Sequence, residues 1–177
     1  MKKLFIITLL LLTVSVFSQE KKENILGKNE FKLNLPALIA GYPEVTYERL
    51  LTEETSLGIS FGFSINKTNS NDNDSNGNYN FSLIPYYRVY FGDKPHAGFF
   101  VDGNAALYSQ KAIDGNFFVN KKEGGLGFGL GFDIGKKYKT KKGWVCEVYF
   151  GIARTLINTD KLNLIYLRGG IAVGKIF

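Results

Sequence analysis

The sequence predicts an all-β protein, an eight-stranded antiparallel up-and-down transmembrane β-barrel, on three observations. Eight stretches alternate large apolar residues with small or polar ones at a period of two, no stretch carries a helical period, and, the first connection aside, the turn-rich connections between them take turns between tight and long. The pattern is sharpest in "GGLGFGLGFDIG" at 124–135. Leu126, Phe128, Leu130, Phe132 and Ile134 fall on one parity there, and Gly127, Gly129, Gly131, Asp133 and Gly135 on the other. A phosphate-cradling loop needs G-x-G-x-x-G between strand and helix, or G-x-x-x-x-G-K-[ST], and neither spacing occurs. The stretch is therefore a strand with one bulky face and one nearly bare one.

The elements follow in order. A first segment at 29–40 runs through "AGYP" into a second at 44–51, and "TEE" leads to a third at 55–66. The long "KTNSNDNDSNGN" precedes the fourth at 79–91, and the tight "GDKPHA" the fifth at 97–109. "QKAIDGNFFVNKKE" separates that from the sixth at 124–136, "KKYKTKKG" makes the turn to the seventh at 143–157, and "NTDK" leads to the eighth at 163–177. Pro36 and Pro85 remove ladder donors, so bulges are expected near both. Short turns at one end, longer loops at the other and an even strand count are the pattern of outer-membrane barrels, which the chain follows except that its first loop at the long-loop end, "AGYP", is short.

The two faces decide what surrounds the barrel. Leu57, Ile59, Phe61, Phe63 and their counterparts on later strands form a face without charge in its middle. The other face carries Gly58, Ser60, Gly62, Asn80, Ser82, Arg88, Asp102, Asn104, Glu147, Arg168 and the glycines of the sixth segment. A water-soluble barrel has no reason to fill its solvent face with glycine, whereas the interior of eight strands is just wide enough for side chains. Large residues then point out, into lipid. Phe31, Phe91, Phe99, Trp144 and Phe177 are expected in one aromatic girdle, and Tyr42, Tyr79, Tyr108, Phe117, Phe118 and Tyr166 in the other. Outward Arg49, Arg154 and Lys175 lie near strand ends, where long side chains snorkel.

The ends and the composition bound the class. Lys2 and Lys3 ahead of the apolar run from Leu4 to Val14, then Val16-Phe17-Ser18, read as a signal peptide over 1–18. Residues 19–28 are then a short periplasmic segment and 29–177 the barrel domain. The run is too short for a spanning helix. Loss of residues 1–18 takes two lysines and no acid from a net charge of +6, leaving +4, which points to no nucleic-acid partner. Cys146, alone among apolar neighbours, reads as a small hydrophobe rather than a reactive thiol.

Inward parity gathers Lys32, Glu48, Arg88, Asp102, Asp133, Glu147 and Arg168 as a lumen charge cluster. Charges in a narrow, dry lumen must pair. Asp133 and Glu147, roughly equidistant from their shared turn, are expected to be cross-strand neighbours of like charge that need Arg168, Arg88 or Lys32 nearby, or a shared proton. A salt-bridged plug is favoured over a proton or ion path. His96, the only histidine, reads as a solvated turn residue, so no catalytic residue and no cofactor are assigned. Asp72, Asp74 and Asn76 match the first half of a calcium loop, but Leu83 stands where its glutamate is required, leaving a weak metal candidate. "KKYKTKK" reads as a basic turn near phosphates.

The ending "LRGGIAVGKIF" resembles the C-terminal signal that the barrel assembly machinery reads, with Phe177 as its terminal aromatic. Residues 29–177 are similar to small eight-stranded barrels of the OmpA and OmpX sort. "KLNLPALIAGYPEVTYERLL" resembles the first hairpin of a family of uncharacterised outer-membrane barrel domains. The resemblance implies the fold and a place in the cell outer membrane, and it transfers no catalytic residue; with no catalytic group read from the residues either, a monomeric, non-enzymatic protein is expected. Its partners would be outer-membrane lipid, lipopolysaccharide and the assembly machinery, and no extracellular partner is named. A structural or surface-interaction role is expected, with a narrow pore or small-ligand barrel as the alternative.

Overall fold

A computed structural model describes residues 27–65, 79–112 and 122–177. Residues 1–18, expected to be a signal peptide, the calcium candidates Asp72, Asp74 and Asn76, and girdle candidates Phe117 and Phe118 lie outside the described residues. Eight strands close into one antiparallel barrel in sequence order. They are β1 (Asn29–Asn34), β2 (Glu44–Leu50), β3 (Thr55–Phe63), β4 (Tyr79–Phe91), β5 (Gly98–Gln110), β6 (Gly125–Lys139), β7 (Trp144–Thr155) and β8 (Ile165–Ile176). Pairing of β1 with β8, from Glu30↔Ile176 to Asn34↔Ala172, seals the ring, and Phe177 and Asn29 exchange both backbone hydrogen bonds there.

The first segment is not strand to residue 40. β1 stops at Asn34, and one helical turn, α1 (Leu35–Ile39), follows. Pro36 lacks the N–H a ladder needs but suits a first helical turn, and the Asn34 side chain caps that turn by accepting from Ala37 N at 3.3 Å. Pro85, by contrast, causes no bulge. The β3 register passes through it as Ile59↔Pro85, and the β4–β5 register stays in step on either side of it. The irregularity lies between Tyr79 and Phe81, which pair with Gln110 and Ser109, so Asn80 is the extra residue. That bulge turns Asn80 outward, onto Ser109 Oγ at 3.1 Å, and Tyr79 inward.

Parity otherwise holds along the strands. Leu57, Phe61, Leu130, Phe132, Phe150 and Leu167 are exposed, while Ser60, Ser82, Arg88, Asp102, Asp133 and Glu147 are buried. The interior is not made of small residues alone, however. Phe100, Tyr86, Tyr90, Tyr108, Tyr149 and Tyr166 point inward, and inward glycines are the spaces those rings occupy. A Cβ at Gly58 would run into the Tyr86 ring, and one at Gly127 would meet Tyr108 and Leu162. Tyr108 stacks on Tyr166 at 4.7 Å, and Tyr79 lies 4.7 Å from Tyr166 and 5.4 Å from Tyr108. With Leu162 folded over them, these tyrosines cap the lumen at the α1 end instead of forming an outward girdle. Tyr42 also turns inward, its hydroxyl donating to Ser82 Oγ at 2.7 Å.

Candidate functional site

All seven lumen charges read from parity lie inside, and three more join them: Glu30, Glu44 and Lys137. Glu30 and Glu44 share parity with Lys32 and Glu48, so alternation alone could have found them. Lys137 was hidden because β6 continues to Lys139, into what reads as a turn; half of "KKYKTKK" is strand. The longer strand moves the register as well. Glu147 faces Lys137 across β6–β7, an opposite-charge pair, while Asp133 faces Gly151. The like-charged neighbours are therefore Asp102 and Asp133, across β5–β6.

One lateral row explains how the two aspartates coexist. Arg88, Asp102, Asp133, Gly151 and Arg168 stand directly opposite one another across β4 to β8. Arg88 Nη2 holds Asp102 Oδ2 at 3.0 Å, and Arg168 Nη1 holds Asp133 Oδ2 at 3.0 Å. Gly151 sits between Asp133 and Arg168, and a Cβ there would collide with the Asp133 carboxylate, so its bare backbone lets the pair close over it. Asn104 Nδ2 donates to Asp133 Oδ1 at 2.8 Å.

Glu48 is the hub of the cluster. Its carboxylate accepts from Lys32 Nζ at 2.6 Å, Ser56 Oγ at 2.6 Å, Tyr86 OH at 2.8 Å and the Tyr90 hydroxyl, with Arg88 Nη1 and Lys137 Nζ each at 3.4 Å. Lys32 Nζ also reaches Glu147 at 2.8 Å and Glu30 at 3.3 Å, and Lys137 Nζ reaches Glu30 at 2.7 Å. Glu30, Glu48 and Glu147 bring oxygens within 4.8 Å of one another, the one such acidic group among the described residues. The Lys32 ammonium touches all three, so a built-in cation holds the position a metal ion would take. The Arg88 guanidinium lies 3.7 Å from the Phe100 ring centroid and donates to Glu147 at 2.8 Å. Nearer α1, Glu44 accepts from Tyr149 OH at 2.5 Å and from Arg168 Nη2 at 3.3 Å, and Asn34 Nδ2 donates to Tyr149 OH at 2.9 Å. Every strand contributes a side chain to this network, Ser56 and Ser60 representing β3. It is an electrostatic cross-link inside the ring, with ion pairs shut away from water.

At the tight-turn end His96 is not solvated. The β4–β5 turn folds beneath the lumen, leaving His96 2% exposed, with φ +53° and neither ring nitrogen hydrogen-bonded. Its backbone N–H donates to Glu53 O at 2.9 Å, and its ring lies edge-on to Tyr90 at 6.1 Å. Burial first, then the Lys137 and Lys139 charges, push its pKa down to about 4. Between pH 6.5 and about 4 the unfolded chain takes up a proton that the folded one refuses. Stability contributed here is thus full above pH 6.5 and falls as pH drops towards 4. Exchanging His96 for Asn, which tolerates the left-handed backbone, should flatten that limb; unfolding midpoints of both proteins between pH 4.5 and 7 check it.

Fold and interior together define the class: a closed, eight-stranded, up-and-down antiparallel barrel with a lumen filled by charged and aromatic side chains. A family model described as "Protein of unknown function (DUF3575)" matches residues 4–170, and the chain belongs to that family. No curated protein and no solved structure matches the chain significantly.

Proposed function

We propose that this barrel is an integral outer-membrane protein of the small OmpA and OmpX sort. Its lumen is plugged by side chains, and it serves a structural or surface-interaction role without catalysis. The observation that carries the reading is inverted polarity. Large apolar side chains such as Phe132 (54% exposed) and Phe150 (55%) stand outward along the strands, while ten charged side chains are packed within. A barrel in water would reverse this, since apolar area on the outside is stabilised only where lipid meets it. β4 to β8 have 12 to 15 residues each, more than the roughly 9 to 11 that a tilted strand needs to cross hydrocarbon. Phe31, Phe91, Phe99, Trp144 and Phe177, all exposed at the tight-turn end, suit an interfacial girdle there. That end is assigned to the periplasm, and the connections at the α1 end to the surface, facing lipopolysaccharide and any extracellular partner. A closed ring leaves no unpaired edge to recruit a second copy, so a monomer is expected.

The test is fractionation with conductance. The protein should sediment with outer membranes, migrate differently on gels with and without boiling, and show no steady current in a planar bilayer. A monomer recovered from periplasm without detergent would overturn the membrane reading; stable, ion-selective currents would favour a narrow pore.

The terminal aromatic bears on the assembly machinery as a partner. Deleting Phe177 removes two backbone bonds at the β1–β8 seam as well as the ring, so Phe177→Ala is the cleaner variant. Its level in the outer membrane should fall severalfold while signal-peptide cleavage continues; an unchanged level would show that the ring is not read.

A further inference from the structure

The tight-turn rim of the barrel is electrically lopsided. Lys136 on β6, Lys141 and Lys142 in the β6–β7 turn, and Lys175 on β8 are all exposed on one sector, and among the described residues none of the four is in an ion pair. Among the described residues, that sector's turn and outward positions carry no acidic side chain. The acids of the same rim, Glu53, Glu54 and Asp93, belong to the β2–β3 and β4–β5 turns. Aromatic rings accompany the lysines. Trp144, Lys175 and Phe31 stand directly opposite one another across β7, β8 and β1, facing outward, and the Lys175 ammonium lies 5.7 Å from the Trp144 ring centroid.

We propose that this sector is a binding site for the headgroup of an anionic phospholipid in the leaflet at the tight-turn end. The proposal rests on the membrane reading above and adds to it the lipid class and the place. The arrangement suits a lipid better than a soluble anion because cations and apolar surface adjoin. Lys141 and Lys142 project from the turn at headgroup level, Lys175 is stationed beside Trp144 at the interface, and Val148 and Ile171, paired across β7–β8, continue the outward face as an apolar track. A phosphate with a second negative or hydroxyl-bearing group can meet the lysines while its acyl chains lie along that track. A zwitterionic headgroup brings its own ammonium against them and gains little.

The test uses full-length mature protein in zwitterionic detergent, titrated with phosphatidylglycerol, phosphatidylcholine or inorganic phosphate, with bound lipid counted by native mass spectrometry. Phosphatidylglycerol should be retained about tenfold or more tightly than phosphatidylcholine, and the preference should shrink with salt. The triple variant K141Q/K142Q/K175Q should lose it, whereas Lys94→Gln, on the other sector of the rim, should keep it. Equal retention of both lipids by wild type, or an unchanged preference in the triple variant, would overturn the proposal. Competition by inorganic phosphate as effective as the lipid would overturn it too, as a bare anion site. Boiling-dependent gel migration of the same preparations reports the barrel independently. A protein that inserts but shows no preference refutes the lipid site alone; one that stays soluble without detergent refutes the membrane reading.

Discussion

Replacing Glu48 by alanine is expected to be the most damaging single change in the lumen, costing about 3 to 5 kcal/mol. The carboxylate is fully buried and faces Lys32, Arg88 and Lys137, with Ser56, Tyr86 and Tyr90 completing its shell. Its loss leaves three cations sharing Glu30, Glu147 and Asp102, and it orphans hydroxyl donors that have no water to turn to. Removing a cation along with the acid should restore part of the loss. Glu48→Gln combined with Lys137→Met is therefore expected to be more stable than the sum of the two single changes, by about 1 kcal/mol or more. Urea titrations of the protein folded into lipid vesicles measure all four states of that cycle. Strict additivity would mean that Glu48 and Lys137 do not act on each other across the lumen.

Phe132→Arg is expected to cost about 2 to 4 kcal/mol in a bilayer, and Leu130→Arg about 0 to 1. Phe132 is the central residue of β6, outward and flanked across the sheet by Gly103 and Ile152, so a guanidinium there has neither water nor a partner. Leu130 is a poorer mid-plane marker than its sequence pattern implies. Its partner on β7 is Arg154, next to the end of that strand and already carrying a charge at the same level. Snorkelling that serves Arg154 serves a second arginine nearly as well. Refolding yields and urea midpoints of both variants in vesicles give the ordering. Equal tolerance of both would mean that the outward face does not meet hydrocarbon.

The sites of these two predictions differ in how they were legible. Phe132 was placed by parity alone, and so were Glu48, Lys32 and Arg88, because inward and outward alternate along any strand whose ends are roughly right. The partners were another matter. Pairing Asp133 with Glu147 centres the β6–β7 turn two residues too early; the longer β6 puts Lys137 opposite Glu147, and the separate β5–β6 register puts Asp102 opposite Asp133. Lysines at 136, 137 and 139 look like solvent-exposed turn chemistry, and only burial against Glu30 and Tyr90 reveals that Lys137 belongs inside.

Local pattern by itself determined that this chain is all β, that eight strands alternate a bulky outward face with an inward polar one, and that seven of the ten lumen charges point inward. These are properties of period two, which each strand carries along its own length. The tertiary structure alone decided what depends on residues far apart in sequence or on a single extra residue: the bulge at Asn80 that sends Tyr79 inward, the tyrosine cap under Leu162, and the buried His96. The same holds for the glycines. Alternation marked Gly151 as a bare position, but that Asp133 and Arg168 close over it follows from three strands meeting in register around a lumen too narrow to leave the space empty.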